Sequence, residues 1–304
     1  MMYNSLMTFS DVETARKIYW DKLKTRLGIS AVIAIVMGMF GAFGGRAAII
    51  YGPALGLVGF SICAVVAVFL TRKDATAYRK AYKGYFVEQN FQKIFTDLTY
   101  SHEAGLDPSI LRATGMINTG DLCTSNDLTV AKYKNTGFTQ ADGHIQVEST
   151  DKDGNTTYYT IFKGRFMIFE FPKKFNFKLE LVGRGFRAYR IPGKDGATGR
   201  KMAKLQTESN EFNHTFKIFG QDGFETFYLL DPAMIVKIQA IAERYKNKLL
   251  LGFLDNKMLV AIDDGKDSFE PPRASKPIDE KTEMKKVATE IKVVTDFVDV
   301  ISSH

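Results

Sequence analysis

Residues able to do chemistry are present in this chain but scattered. Its four histidines, His102, His144, His214 and His304, form no HExxH, HxH or Cys/His cluster, so a metal centre has no motif behind it. Asp151, Asp153 and Asn155 imitate the start of a calcium loop. The ligand position at the loop's end is Phe162, however, and Gly154 comes two places early, so a hairpin turn is the reading. Gly193 to Lys201 looks like a phosphate loop, but a Walker motif needs Gly-Lys-Ser/Thr and here Arg200 follows Gly199; a basic loop is expected. No GxSxG elbow occurs. Cys123 with a distant histidine would make a nucleophile pair, yet a lone cysteine is more often just a small side chain. Asp263 and Asp264 with Asp267 would gather a cation, or more simply form a surface turn. No catalytic, cofactor-binding or metal-ligating residue, and no cofactor, is therefore assigned.

The elements that would position such groups begin with an apolar block. Between Leu27 and Leu70 the only charged residue is Arg46. Roughly 20 apolar residues in a helix cross about 30 Å of hydrocarbon, so two crossings fit, as a transmembrane hairpin. The turn falls at Gly44-Gly45-Arg46 or at Tyr51-Gly52-Pro53. Arg16, Lys17, Lys22, Lys24 and Arg26 precede the block, and Arg72, Lys73, Arg79, Lys80 and Lys83 follow it. Both termini are thus expected on the cytoplasmic side of the inner membrane. Ala34, Gly38 and Ala42, then Gly59, Cys63 and Ala67, repeat every fourth residue and let helices approach, either within the hairpin or in a homo-oligomer. No acid, amide or histidine lies in the spans, which argues against ion transport through them.

Two cysteines, Cys63 and Cys123, make no disulfide framework. The net charge of +7 is concentrated between Val130 and Leu205, where Lys and Arg exceed Asp and Glu by eight. Such a patch suits an anionic leaflet. No nucleic-acid motif accompanies it, and no nucleic-acid partner is expected.

Local patterns give the rest. Ser10 and Glu13 read as a capping box opening a helix that runs into the first span. Thr71 to about Leu98 reads as a helix, and Asp107-Pro108 starts a short one ending near Gly115. From Leu128 alternation predicts strands: 144–149, 158–171, 177–182, 186–191, 215–219, 226–230, 249–254 and 258–262. A helix starts at Asp231-Pro232. In the tail, Met284, Val287, Ile291, Val294, Val298 and Ile301 form a heptad-like seam, for a partner helix or for the chain's own domain. The fold class is α+β: an N-terminal two-helix transmembrane hairpin followed by a mainly antiparallel-sheet cytoplasmic domain. The segments are 1–26 (amphipathic helix), 27–70 (hairpin), 71–105 (membrane-proximal helix), 106–273 (α+β domain) and 274–304 (linker and amphipathic helix).

Several blocks, in order, resemble the bacterial family called domain of unknown function 3137. They are the double span; Ser125-Asn126-Asp127-Leu128; Ile161 to Phe166 with its Phe-Lys-Gly, continuing through Phe171 to Phe175; Leu205 to Phe216; Leu229 to Met234; and Ser268-Phe269-Glu270-Pro271. Asn126 departs from the family's acidic pair, and Pro172 and Lys173 depart within the aromatic stretch. The resemblance implies an integral membrane protein with a cytoplasmic α+β domain and no assigned activity. It also implies, by analogy, a LemA-like membrane partner.

Physically, Phe162, Phe166, Phe169, Phe171 and Phe175 read as aromatics filling one sheet face. Gly164 within a strand marks a bulge or a close backbone approach. The expected partner or lipid surface gathers Lys163, Arg165, Lys173, Lys174, Arg184, Arg187 and Arg190. The functional expectation is a membrane-anchored interaction or scaffold module that binds a protein or an anionic lipid surface. The alternatives are a membrane-surface enzyme or an accessory subunit of a membrane complex.

Overall fold

A computed structural model describes residues 7–42, 46–172, 174–175, 178–191, 202–220 and 229–301, without the side chains of 40–42, 46–52 and 55. The expected basic loop at 193–201, Phe177, residues 226–228 of the expected strand at 226–230 and the turn at Gly44-Gly45 lie outside the described residues, as does Lys173; Leu229 and Leu230 are described and are not strand. The chain divides into two compact units: one of residues 1–90 with 270–286, the other of 91–269 with 287–304.

In the first unit, α1 (Phe9–Ala42) and α2 (Arg46–Leu70) pack side by side. A Cβ on Gly56 would lie 2.9 Å from the Ala34 carbonyl oxygen and 3.5 Å from the Gly38 Cα, so small residues set the closeness of the two backbones. α2 is described from Arg46 on, and Tyr51-Gly52-Pro53 is inside it. Among the described residues no single helix is long and apolar enough to cross a membrane. Gly56–Leu70 and Arg72–Ile94, bent by 47°, pass that test as a pair.

The capping box sits two residues earlier than expected. Asp11 accepts from the Thr8 backbone N–H (2.8 Å) and Thr8 Oγ1 accepts from the Asp11 N–H (3.3 Å). Glu13 is freed for other work: it takes the Ile278 N–H (2.9 Å) and pairs with Arg16. Beyond α2 come α3 (Arg72–Tyr82), a π-helical turn (Lys83–Glu88) and α4 (Gln89–Ile94). Segment 270–286 is held by hydroxyls: Tyr78 donates to the Pro272 carbonyl (3.0 Å), Tyr82 to Glu283, and Tyr85 to Glu280. Glu270 receives Lys83 (3.2 Å) and Arg79 (3.1 Å).

The second unit is built on one nine-stranded antiparallel sheet. Its strands are β1 (Thr96–Ser101), β2 (Leu122–Tyr133), β3 (Thr136–Thr150), β4 (Thr156–Glu170), β5 (Leu179–Gly183), β6 (Ala203–Leu205), β7 (Phe216–Gly220), β8 (Leu249–Leu254) and β9 (Lys257–Ile262). Their order is β1-β2-β3-β4-β9-β8-β5-β7-β6. The helices are α5 (Pro108–Thr114), α6 (Asn210–Thr215), α7 (Pro232–Arg244) and the later part of α8 (Glu280–Ile301). As expected, Asp107 caps α5 through the Ser109 N–H, Gly115 closes it at φ 69°, and Asp231 caps α7 through the Met234 N–H.

Three expectations are corrected. Residues 96–101 are strand rather than helix, because Asp97, at φ 50°, breaks the helical spacing of Phe91, Ile94, Phe95 and Leu98. β2 starts at Leu122, six residues before alternation is readable, because a bulge between Asn126 and Thr129 reverses its parity. Residues 186–191 make only one bridge, Tyr189 to Ile117, although Phe186 and Ala188 are buried.

Both sheet faces are covered, so the β4 aromatics do not share a side. Phe162 and Phe166 stack at 4.2 Å in a core with Leu111, Ile145, Phe186 and Leu250. Phe169 faces the other way, 6.2 Å from Phe297 of α8. The seam Val287, Ile291, Val294, Val298 and Ile301 is buried within the chain. Gly164 is a close approach, as expected: a Cβ there would lie 2.0 Å from the Ile262 carbonyl oxygen.

Candidate functional site

The most unusual chemistry lies on the α8 side of the sheet. β3 and β4 pair Asp142 with Arg165, which places both side chains on one face. At the β2 bulge Asp127 takes φ 57°, a left-handed value, and its side chain enters the same region. The segment after β9 supplies Asp267, and the Ser268 N–H anchors that segment on Asp142 Oδ2 at 2.6 Å. One carboxylate oxygen from each of Asp127, Asp142 and Asp267 lies within 4.8 Å of the others. Around them, Tyr100 donates to Asp127 Oδ1 (2.6 Å), and Asn126 Nδ2 reaches Asp127 Oδ2 (2.8 Å) and Asp267 Oδ2 (3.5 Å).

Asp127 and Asp142 are buried, at 1% and 3% exposure. Arg165, also buried, has its Nε 3.6 Å from Asp142 Oδ1. Its other nitrogens serve Glu290, with Nη2 on Oε2 at 2.9 Å and Nη1 on the Glu290 carbonyl at 3.0 Å, and its guanidinium lies 5.0 Å from the Phe269 ring centre. Burial dominates at Asp142 and pushes its carboxyl up to about 7; Arg165 and the Ser268 N–H pull down, and Asp267 and Asp127 push further up. The site is a desolvated acidic cluster with one shared cation.

The basic residues expected at a surface are spread out. Lys163 is exposed on β4. Arg165, two residues on, is not at the surface: it shares the inward parity of Met167 and Phe169 and lies under α8. Lys174, Arg184 and Arg187 are exposed, and Arg184 donates to the carbonyls of Asn213 and His214. β9 and β8 lie between β4 and β5, so Lys163 and Arg184 stand well apart in the sheet. Arg190 lines a pocket of about 370 Å³ with Arg112, Lys178 and Glu180, beside an apolar one of about 280 Å³ that shares Met116 and Leu254.

Cys123 and His144 face opposite sides of the sheet, because Cys123 pairs with Ile145 and Thr124 with His144. The sequence pointed at Asp267 but not at Asp127 or Asp142. What joins them is the residue blocks quoted above: Asn126-Asp127, Phe162 to Arg165 and Ser268-Phe269 all reach this cluster.

No curated protein matches the sequence. Among solved structures, the crystal structure of the mycobacterial trehalose monomycolate transport factor A, TtfA, is similar at 11% identity and a TM-score of 0.38, over 73% of this chain and 91% of that one. Residues 160–302 match the family described as protein of unknown function (DUF3137), a segment that runs from β4 through α8. That segment of the chain is similar to the DUF3137 family.

Proposed function

We propose that this chain is a membrane-anchored interaction module: α1 and α2 form a transmembrane hairpin, and the sheet domain beyond it binds a partner on the cytoplasmic side. The observation that carries this reading is the outer surface of the two helices. Ile29, Val32, Ile35 and Met39 of α1, with Leu57, Val65 and Phe69 of α2, are all exposed, Leu57 to 70%. Side chains of this kind along two adjacent helices find no cover among the described residues, and lipid supplies it. The flanking Lys and Arg favour a cytoplasmic side for both ends. The exposed Lys174, Arg184 and Arg187 then offer positive charge to anionic headgroups or a membrane protein, with a LemA-like protein and a second copy as the two partner classes.

Alkaline carbonate extraction of membranes from cells expressing the full chain tests the anchor. The protein stays in the pellet, and replacing Val32, Ile35, Val65 and Phe69 with Asp moves it to the supernatant. Release of the unaltered chain overturns the anchor. A reporter fused after Arg79 that is active only outside the cytoplasm overturns the orientation. In-cell crosslinking from Lys174 and Arg187 then separates a second copy from a LemA-like protein.

A further inference from the structure

The geometry points to a hard divalent cation, of the Mg²⁺, Ca²⁺ or Mn²⁺ class, held between the carboxylates of Asp127, Asp142 and Asp267. All the donors are oxygen, which selects that class over zinc or copper. The spacing fits: oxygens on opposite sides of a calcium ion are about 4.6–5.2 Å apart, given Ca–O distances of about 2.3–2.6 Å. The three carboxylate oxygens span no more than 4.8 Å.

Unsatisfied atoms supply independent support. Asp142 is 3% exposed, and its Oδ1 accepts no hydrogen bond from any described residue; Asp267 Oδ1 is likewise buried and unbonded. A buried carboxylate oxygen without a donor is costly, and native folds tolerate it where something else coordinates it. Arg165 does not fill that role. Its Nε stays 3.6 Å from Asp142 Oδ1 and makes no hydrogen bond to that oxygen, and its charge is shared with Glu290 at 2.9 Å. Asp142 and Asp267 therefore each bring to the cluster a buried carboxylate oxygen without a hydrogen-bond donor, and a divalent ion satisfies both. The ion also ties β2, β3 and the segment after β9 together at one point.

The test uses the full chain in detergent, stripped with EDTA and desalted. Calorimetric titration and thermal melting are run with CaCl₂, MgCl₂ and MnCl₂ in turn. At least one ion binds saturably and raises the melting midpoint, and EDTA reverses the rise. Asp142→Asn and Asp267→Asn each weaken binding at least about tenfold, the scale of losing one group that orders a metal site, while Lys217→Ala, at an exposed position on β7, binds as the unaltered chain does. Asp267 is only half-buried, so its variant decides the matter if Asp142→Asn fails to fold. The site is overturned if none of the three ions binds up to about 10 mM, above the range of the weakest protein calcium modules. Carboxylate variants that bind as tightly as the unaltered chain overturn it equally.

Discussion

Arg165 Nε stands 3.6 Å from Asp142 Oδ1, at directly paired positions of β3 and β4, yet no hydrogen bond joins them. The guanidinium has turned its remaining donors to Glu290 on α8. A buried arginine thus fastens the terminal helix to the sheet and leaves the acidic cluster with only a long-range share of its charge.

Removing that arginine strands Glu290 and the cluster together. Arg165→Met should destabilise the chain by about 3–5 kcal/mol, the cost of breaking a buried ion pair from one side. Chemical denaturation followed by tryptophan-independent circular dichroism measures it. A loss below about 1 kcal/mol would show that α8 does not depend on the pair.

The pH dependence of the cation-free chain should carry a signature of Asp142. Its folded carboxyl titrates at about 7, against the ordinary 3.8, because it is desolvated beside Asp267 and Asp127. Between those values the folded state holds the extra proton. The contribution is therefore fully present below the unfolded value and is lost as pH rises through about 7. Melting in EDTA from pH 5 to 8 should show the unaltered chain falling relative to Asp142→Asn, and parallel curves would contradict this.

Gly164→Ala should disrupt the seam between the two halves of the sheet. The added methyl meets the Ile262 carbonyl oxygen at 2.0 Å, where only backbone movement makes room. A loss of about 2–4 kcal/mol is expected, in the upper range for point changes. Faster amide exchange in β9 than in β2 would localise it.

Cys123 should react slowly. Burial holds its thiol above the usual range, with only Arg112 opposing, so little thiolate forms at neutral pH. Iodoacetamide at pH 8 should label the folded chain much more slowly than the urea-unfolded one. Equal rates would place Cys123 in a different environment.

Much of the architecture was legible because its signals are local. Caps at Asp107 and Asp231, the Asp151 turn and the apolar seam of α8 each depend on residues a few places apart. The β2 start was hidden because the bulge at Asp127 reverses which residues face inward, so no steady alternation exists to read. Parity also explains Arg165. Within a basic run it looked like surface, but on β4 it alternates with Phe166 and falls beneath α8. The acidic cluster was illegible for another reason: Asp127, Asp142 and Asp267 come from three separate segments, and only the pairing of β2, β3 and β4 and the return of the chain after β9 bring them together.

That same pairing governs the order in which the domain can be completed. β1 to β4 form a meander from consecutive sequence, but the next strand in space is β9, with Ile262 opposite Arg165. While the ribosome is still producing β5 to β8, the nascent meander carries β4 as a bare apolar edge with Met167 and Phe169 uncovered. Such an edge invites pairing with the wrong strand. Closing that edge waits on the whole stretch of chain from β5 to β8, so the sheet is completed by a contact between residues about a hundred positions apart.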